Sequence, residues 1–333
     1  MAIFLSLFLV ATTWRSGSTF LGDLLNHYPG VFYYFEPLHY YSHMSEVEWA
    51  EAEEPIEFLR SLYSCSFTES NEGFLKHVAE NSFLLKKHNK RLWNSCSHLR
   101  HRETMCLSPD YLNQICPLHP IRLIKTVRLR VMKVEKLLED PAMDLRVVLL
   151  VRDPRGVYNS RNSGPVVNWC KEEICADPGV GCRDLADDIL AAEDLAVRYP
   201  GKVNLVRYED LSLKPEQTSR QLLDFLDLPW SDAISDYIDT HTKADLMRDR
   251  LTNVSKRREK FLSAHLTAKN STATAFAWRQ ELSLKKTLEI QRKCRGPMRR
   301  LGYRLIHNQR DLNKEELPIA KSAREVWPWR REN

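Results

Sequence analysis

The N-terminal 25 residues constrain this chain more than any other stretch. Met1 to Ala11 is apolar and runs straight into TTWRSGST at 12–19, which is followed by the helix pattern FLGDLL at 20–25. Eleven apolar residues are too few to cross a bilayer, which takes about 20. No basic region precedes them, as a signal peptide requires, and cleavage after them would cut into the next motif. A continuous apolar run ending at a small-residue turn is the pattern of a strand covered on both faces of a parallel sheet.

Further runs of this kind recur along the chain: Val31–Phe35, Arg122–Val127, Leu145–Val151 and Val203–Tyr208, beside Leu5–Thr13 itself. Helix signals lie between them. Leu185, Ile189, Ala192 and Ala196 repeat at helical spacing ahead of Gly201. Pro215 sits at a first helical position before Leu222, Leu223 and Leu226. Leu284, Leu288, Gln291 and Cys294 mark another helix, which the spacing predicts to break at Gly296-Pro297. Alternating strands and helices predict an α/β, three-layer, mostly parallel sheet. Residues 40–120 differ, opening with Glu46, Glu48, Glu51, Glu53, Glu54 and Glu57 and holding four cysteines. They read as a helical insertion, within a single domain over 1–310 that leaves 311–333 as a basic C-terminal tail.

Strand, small-residue loop and helix together form a template for an anion, because backbone N–H groups converge where the helix dipole is positive. Gly17 lets the backbone approach, Ser16, Ser18 and Thr19 bring hydroxyls, and Arg15 adds a fork of donors. The GxxxxGK[ST] spacing of a Walker loop is absent. A plain capped turn, with Ser18 or Thr19 as the cap, is the bland alternative. LVRDPRGVYNSR at 150–161 makes a second such place after the fourth strand, with Arg152 leaving the strand and Ser160 two turns into a helix. Ligands of open α/β sheets bind outside the carboxyl ends of strands, so both loops are expected at one crevice, suiting a ligand with two phosphates. The bland reading of Arg152-Asp153 is an ion pair at a helix start.

Net charge, +5, hides a split: residues 243–333 hold 23 Lys and Arg against 10 Asp and Glu. A basic last quarter implies an anionic partner without choosing among nucleic acid, phosphate, glycan or membrane. The eight cysteines include no CxxC pair at Cys170, Cys175 and Cys182, which argues against zinc there. Cysteine count alone leaves scattered thiols and two or three disulfides open. Asn253-Val-Ser255 and Asn270-Ser-Thr272 are glycosylation sequons, which fit a secretory route.

The motifs resemble those of sulfotransferases using 3′-phosphoadenosine-5′-phosphosulfate. More narrowly, they resemble the Golgi 6-O-sulfotransferases of galactose, N-acetylglucosamine and N-acetylgalactosamine. RSGSTFLG at 15–22 is similar to that family's 5′-phosphosulfate loop, and LVRDPRG at 150–156 through Ser160 and Arg161 to its 3′-phosphate motif. FEPL at 35–38, KTVR at 125–128, VRYEDL at 206–211, AWR at 277–279 and Cys294 before LGY at 301–303 keep the family order. The resemblance implies the nucleotide as donor and a glycan or glycosaminoglycan rather than nucleic acid as partner; no metal is expected, since Arg and Lys supply the cations and no carboxylate–His cluster has ligand spacing. It leaves a homodimer open. It also implies a Golgi location behind an N-terminal signal anchor, and no such anchor is visible in this chain.

Sulfuryl transfer to a sugar hydroxyl needs a base, cations at the leaving oxygen and firm positioning. Glu36, at the end of the Val31–Phe35 strand, is the expected base, with His39 its rival. Arg15 and Lys125 are the expected cations; Lys125 lies inside an apolar strand, where a charge is costly unless paired or aimed into a site. Arg152 and Ser160 are expected to hold the 3′-phosphate. Ser271 and Thr272, in the small polar segment 269–275, are expected to close over the donor, though such residues suit an inert loop equally. Trp278 reads as core. Two other readings stay open: a P-loop-type kinase, which would need a Walker lysine, and a non-catalytic polyanion-binding protein.

Overall fold

The computed structural model describes residues 5–42, 53–81, 88–96, 98, 102–163, 170, 173–242, 270–314 and 316–327. Strands β1 (Ser6–Thr12), β2 (Val31–Phe35), β3 (Ile121–Thr126), β4 (Leu145–Val151) and β5 (Val203–Arg207) fall within a residue or two of the apolar runs. They make one sheet in the order β2-β3-β1-β4-β5. This is the α/β architecture predicted. The chain divides into two compact units, residues 1–12 with 21–148, and residues 13–20 with 149–333.

In the first unit β3 lies between β1 and β2, parallel to both. The register sets Lys125 level with Val10 on one side and Phe35 on the other. Every residue of β2 and β3 is buried, so Lys125 is a cation inside an apolar layer. Helix α1 (Ser18–His27) packs on this layer at Gly22, where a Cβ would lie 2.1 Å from the Tyr33 hydroxyl. A side chain there would drive helix and strand apart.

The expected insertion is helical where described: α2 (Glu53–Tyr63), α3 (Glu72–Glu80), α4 (Lys90–Ser95), α5 (Arg102–Cys106) and α6 (Pro109–Ile115). Asn89 and Ser108 cap α4 and α6 by accepting from Leu92 N and Tyr111 N. Two disulfides, Cys65–Cys116 and Cys96–Cys106, close this region on itself. Glu46, Glu48 and Glu51 of the acidic run lie outside the described residues.

The second unit holds α7 (Pro154–Arg161), α8 (Pro178–Arg198), α9 (Pro215–Phe225), α10 (Asp232–Thr242), α11 (Ser271–Phe276) and α12 (Leu284–Arg300). The predicted break at Gly296-Pro297 does not occur, for α12 continues through Pro297 to Arg300. Proline removes one helical hydrogen bond. Here burial of Pro297 and Met298 in the last turn holds the helix together. Cys182–Cys294 ties α12 to α8, and Cys170–Cys175 closes a short loop. All eight cysteines are therefore paired, which resolves the choice between thiols and disulfides.

The 311–333 tail is not basic. It carries Lys314, Lys321, Arg324, Arg330 and Arg331 against Asp311, Glu315, Glu316, Glu325 and Glu332. The whole positive surplus of the last quarter lies within 243–310. The Asn253 sequon falls outside the described residues, while Asn270 caps α11 by accepting from Ala273 N. Among the described residues no helix is long and apolar enough to cross a membrane.

Candidate active site

The loop from Thr13 to Thr19 turns sharply. Arg15 and Gly17 both have positive φ, 74° and 91°. Thr13 and Ser16 bond through their hydroxyls at 2.9 Å, and Ser16 N donates to Thr13 O. Gly17 is required: a Cβ there would meet the Tyr208 ring at 2.3 Å, and its φ is strained for any side chain. Helix α1 begins at Ser18 with no acidic residue in its first turn, so its leading N–H groups and positive dipole end are not offset.

Within the same unit three arginines gather at this loop. Arg15 Nε donates to Ser160 Oγ at 3.0 Å. Arg152 donates to the carbonyls of Arg15 (3.1 Å) and Thr274 (2.9 Å), and its guanidinium lies 4.7 Å over the Tyr208 ring. Arg161 donates to Trp14 O from two nitrogens and to Cys175 O. Burial, then repulsion from Arg152 and Arg161, pushes Arg15 down to about 10. Arg152 Nε is buried and without a partner. Mutually repelling guanidiniums with an unspent donor form an arrangement stabilised by a bound anion.

The bland alternative, an Arg152–Asp153 ion pair, does not form. Asp153 instead holds Arg155, with a closest approach of 2.6 Å, and caps α7 through Arg155 N. Arg155 is fully buried, stacks 4.0 Å over Trp278 and bonds Gln291 and the Arg304 carbonyl. This scaffold engages Asp153 and leaves Arg152 free of it. Trp278 packs with Ile306 and Leu312, as core. Beneath lies Glu209, fully buried, accepting from Asp153 N and the Tyr303 hydroxyl. Burial first, then the Asp153 charge, raises it to about 7.

Ser271 and Thr272 stand in the first turn of α11, so the segment is helix and not loop from Ser271 onward; Lys269 is outside the described residues. Both hydroxyls donate to Ser212 O, at 3.0 and 3.2 Å. They tie α11 to the chain after β5, while Thr274 meets the arginine cluster through its carbonyl, which accepts from Arg152.

In the first unit Glu36 follows β2 in the left-handed region, φ 52°. That turn folds its carboxylate back over the sheet end. Glu36 is 4% exposed and Lys125 3%. Lys125 Nζ meets Oε1 at 2.5 Å; Arg128 Nη1 meets Oε2 at 2.5 Å, and Val127 N donates to Oε2 at 3.2 Å. Burial alone would raise Glu36, but Lys125 and Arg128 outweigh it and hold the carboxyl below its usual value. Lys125 is lowered by burial against the raising pull of Glu36, and its ammonium sits 4.2 Å over Phe35. His39 bonds His77 at 2.9 Å beside Tyr40. Of the four non-glycine residues with positive φ among the described residues, two are Arg15 and Glu36. Such strain concentrates at working sites.

A model of the sulfotransferase domain matches residues 6–302. The chain belongs to the sulfotransferase family. Among curated relatives of this sulfotransferase, mouse carbohydrate sulfotransferase 3 is 27% identical, covering 96% of this chain and 72% of the relative. Human carbohydrate sulfotransferase 5 is 28% identical over 91% of this chain and 80% of its own length. Among solved structures, the sulfotransferase domain from the Synechococcus PCC 7002 olefin synthase is 18% identical, with a TM-score of 0.47, covering 88% of this chain and 94% of that one.

In this sulfotransferase two further residues, each inside a motif quoted from the sequence but given no role there, stand beside the expected ones. Arg128 is the second cation on Glu36, and its signal was present as the last position of KTVR. Arg161, next to Ser160, joins the arginine cluster. Among the described residues no group of His, Cys, Asp and Glu is placed to hold a metal.

Proposed function

We propose that this sulfotransferase is a carbohydrate enzyme, moving a sulfuryl group from 3′-phosphoadenosine-5′-phosphosulfate to a sugar 6-hydroxyl of a glycan or proteoglycan chain. One observation carries the donor: Arg15, Arg152 and Ser160 converge on the Gly17 loop, with Arg152 Nε unspent. The loop amides and Arg15, with Ser16, Ser18 and Thr19, take the 5′-phosphosulfate; Arg152 and Ser160 take the 3′-phosphate. Ser271 and Thr272 join the donor side on the resemblance alone, since their hydroxyls are engaged with Ser212. The relatives' names support the sugar acceptor.

When bound, the donor supplies the sulfuryl group, whose sulfur–oxygen bond to the 5′-phosphate breaks as the sugar oxygen bonds to sulfur. Glu36 receives the proton of that hydroxyl. As long as Lys125 and Arg128 both sit on its carboxylate it is a weak base. Moving the Lys125 charge to the developing anion strengthens it, so charge on the leaving oxygen and basicity of Glu36 rise together. Arg15 shares the leaving-oxygen charge. Four disulfides fit an oxidising compartment, and we place the enzyme in the Golgi lumen.

The test is incubation with labelled donor and a panel of galactose- and hexosamine-containing glycans, each beside its 6-deoxy counterpart. Label is expected only on acceptors with the 6-hydroxyl. No transfer to any glycan by folded, nucleotide-binding protein overturns the reading, and transfer to 6-deoxy acceptors overturns the position.

A further inference from the structure

Helix α12 carries seven cations and one carboxylate, Glu289. Its inner face is packed away: Thr287, Ile290, Gln291, Cys294, Pro297 and Met298 are buried, and Cys294 is fastened to α8 by its disulfide. One flank is neutralised, with Lys293 on Asp177 (2.5 Å), Arg300 on Glu193 and Lys286 on Glu289 (3.1 Å). The other four cations, Lys285, Arg292, Arg295 and Arg299, are all exposed. Among the described residues no carboxylate pairs with any of them.

Their spacing puts the four in one row. Steps of seven, three and four residues return to one face of a 3.6-residue helix. At 1.5 Å per residue the row is about 21 Å long, with gaps of roughly 10, 5 and 6 Å. Between the cations lie Leu288, exposed, and Gly296, where an added Cβ would meet nothing within 4 Å. The row is therefore straight, open and held on a rigid, disulfide-anchored helix.

Charge complementarity calls for an extended polyanion. No aromatic residue stands in α12 to stack on bases, as single-stranded nucleic acid binders provide. One leucine is too little apolar face for a helix that lies in a membrane surface. We propose that Lys285, Arg292, Arg295 and Arg299 form an exosite that holds an extended, sulfated or carboxylated glycan chain. This rests on the reading of the enzyme as a carbohydrate sulfotransferase and adds a second place where its polymer is held.

The experiment measures heparin-oligosaccharide binding to the full chain, with saturating adenosine 3′,5′-bisphosphate to block the Arg15 cluster. A quadruple variant, K285Q/R292Q/R295Q/R299Q, is compared with a control, K286Q/K293Q, that removes cations of the neutralised flank. The quadruple variant is expected to weaken binding about tenfold or more and to lower the log–log salt slope by roughly three, at 0.7–0.9 per lost contact. The control is expected to change binding less than about twofold, as for paired surface charges. Sulfuryl transfer to a short uncharged acceptor is expected to be unchanged in both. Unaltered heparin binding by the quadruple variant overturns the proposal, as does an equal loss in the control. Loss of binding to phosphatidylserine vesicles with heparin binding intact overturns it in favour of a membrane surface. Heparin binding that depends on the four residues, in a protein that transfers no sulfuryl group, sustains the exosite and sinks only the catalytic reading.

Discussion

Replacing Glu36 with Gln separates its buried ion pairs from its proposed role as the base. The structure gives the group three partners: Lys125 and Arg128, each at 2.5 Å, and Val127 N at 3.2 Å, all in a nearly dry environment. Gln keeps one acceptor oxygen but takes the carboxylate charge away from two buried cations. Removing one member of a buried ion pair costs about 3–5 kcal/mol, and the retained oxygen places this change near the lower end, about 3 kcal/mol. Loss of the base is expected to lower kcat by about 10² to 10⁴. Binding of adenosine 3′,5′-bisphosphate, which we assign to the Arg15 cluster, is expected to stay within about twofold, since no interaction of that cluster is removed.

The pH dependence carries its own sign. The folded Glu36 carboxyl sits below its ordinary value, so it contributes stability that is fully present above the unfolded value and is lost as pH falls through the folded one. The stability gap between wild type and Glu36→Gln should be flat from neutral pH to about 5 and narrow below that. Urea titrations across this range, with single-turnover transfer at neutral pH, measure both effects. A gap under about 1 kcal/mol at neutral pH would show that the ion pair is not buried as described. Unchanged turnover would remove Glu36 from the chemistry.

Gly17→Ala forces a Cβ against Tyr208 in a left-handed turn; it should cost about 1–3 kcal/mol and abolish bisphosphate binding, seen by calorimetry. Glu209 is raised from 4.5 to about 7, so its contribution is present below the unfolded value and is lost as pH rises through the folded one. Glu209→Gln should remove a decline of ~3 kcal/mol in stability between about pH 4.5 and 7, followed by urea titration. Joint replacement of Cys182 and Cys294 by Ser opens a loop of 112 residues and should cost about 4–5 kcal/mol on the chain-entropy model, measured by thermal melting.

All five strands were legible because each is a buried, nearly continuous apolar run whose signal is local. The sharp turn at 13–19 was legible for the same reason: its small residues and Arg15 are adjacent in sequence. What escaped was pairing at a distance. Whether Asp153 takes Arg152 or Arg155 depends on the stack of Arg155 over Trp278 and its bonds to Gln291 and Arg304, far along the chain. The second cation on Glu36 depends on the turn after β3 bringing Arg128 back to the carboxylate. Pro297 stays helical because of what buries it, a fact of packing that helix propensity does not contain. Cysteine pairing was beyond reach for eight residues with 105 possible connectivities.

The central claim is that one cluster, Arg15, Arg152 and Ser160, holds a nucleotide bearing two separate phosphates. Calorimetric titration of wild type and Arg152→Ala with adenosine 3′,5′-bisphosphate and with adenosine 5′-monophosphate tests it most directly. The wild type should bind the bisphosphate about 100-fold more tightly, as a charge-assisted pair worth about 3 kcal/mol requires. Arg152→Ala should erase that preference while leaving the monophosphate nearly unaffected. Equal affinity of the wild type for both nucleotides, or a preference that survives in Arg152→Ala, would contradict the account.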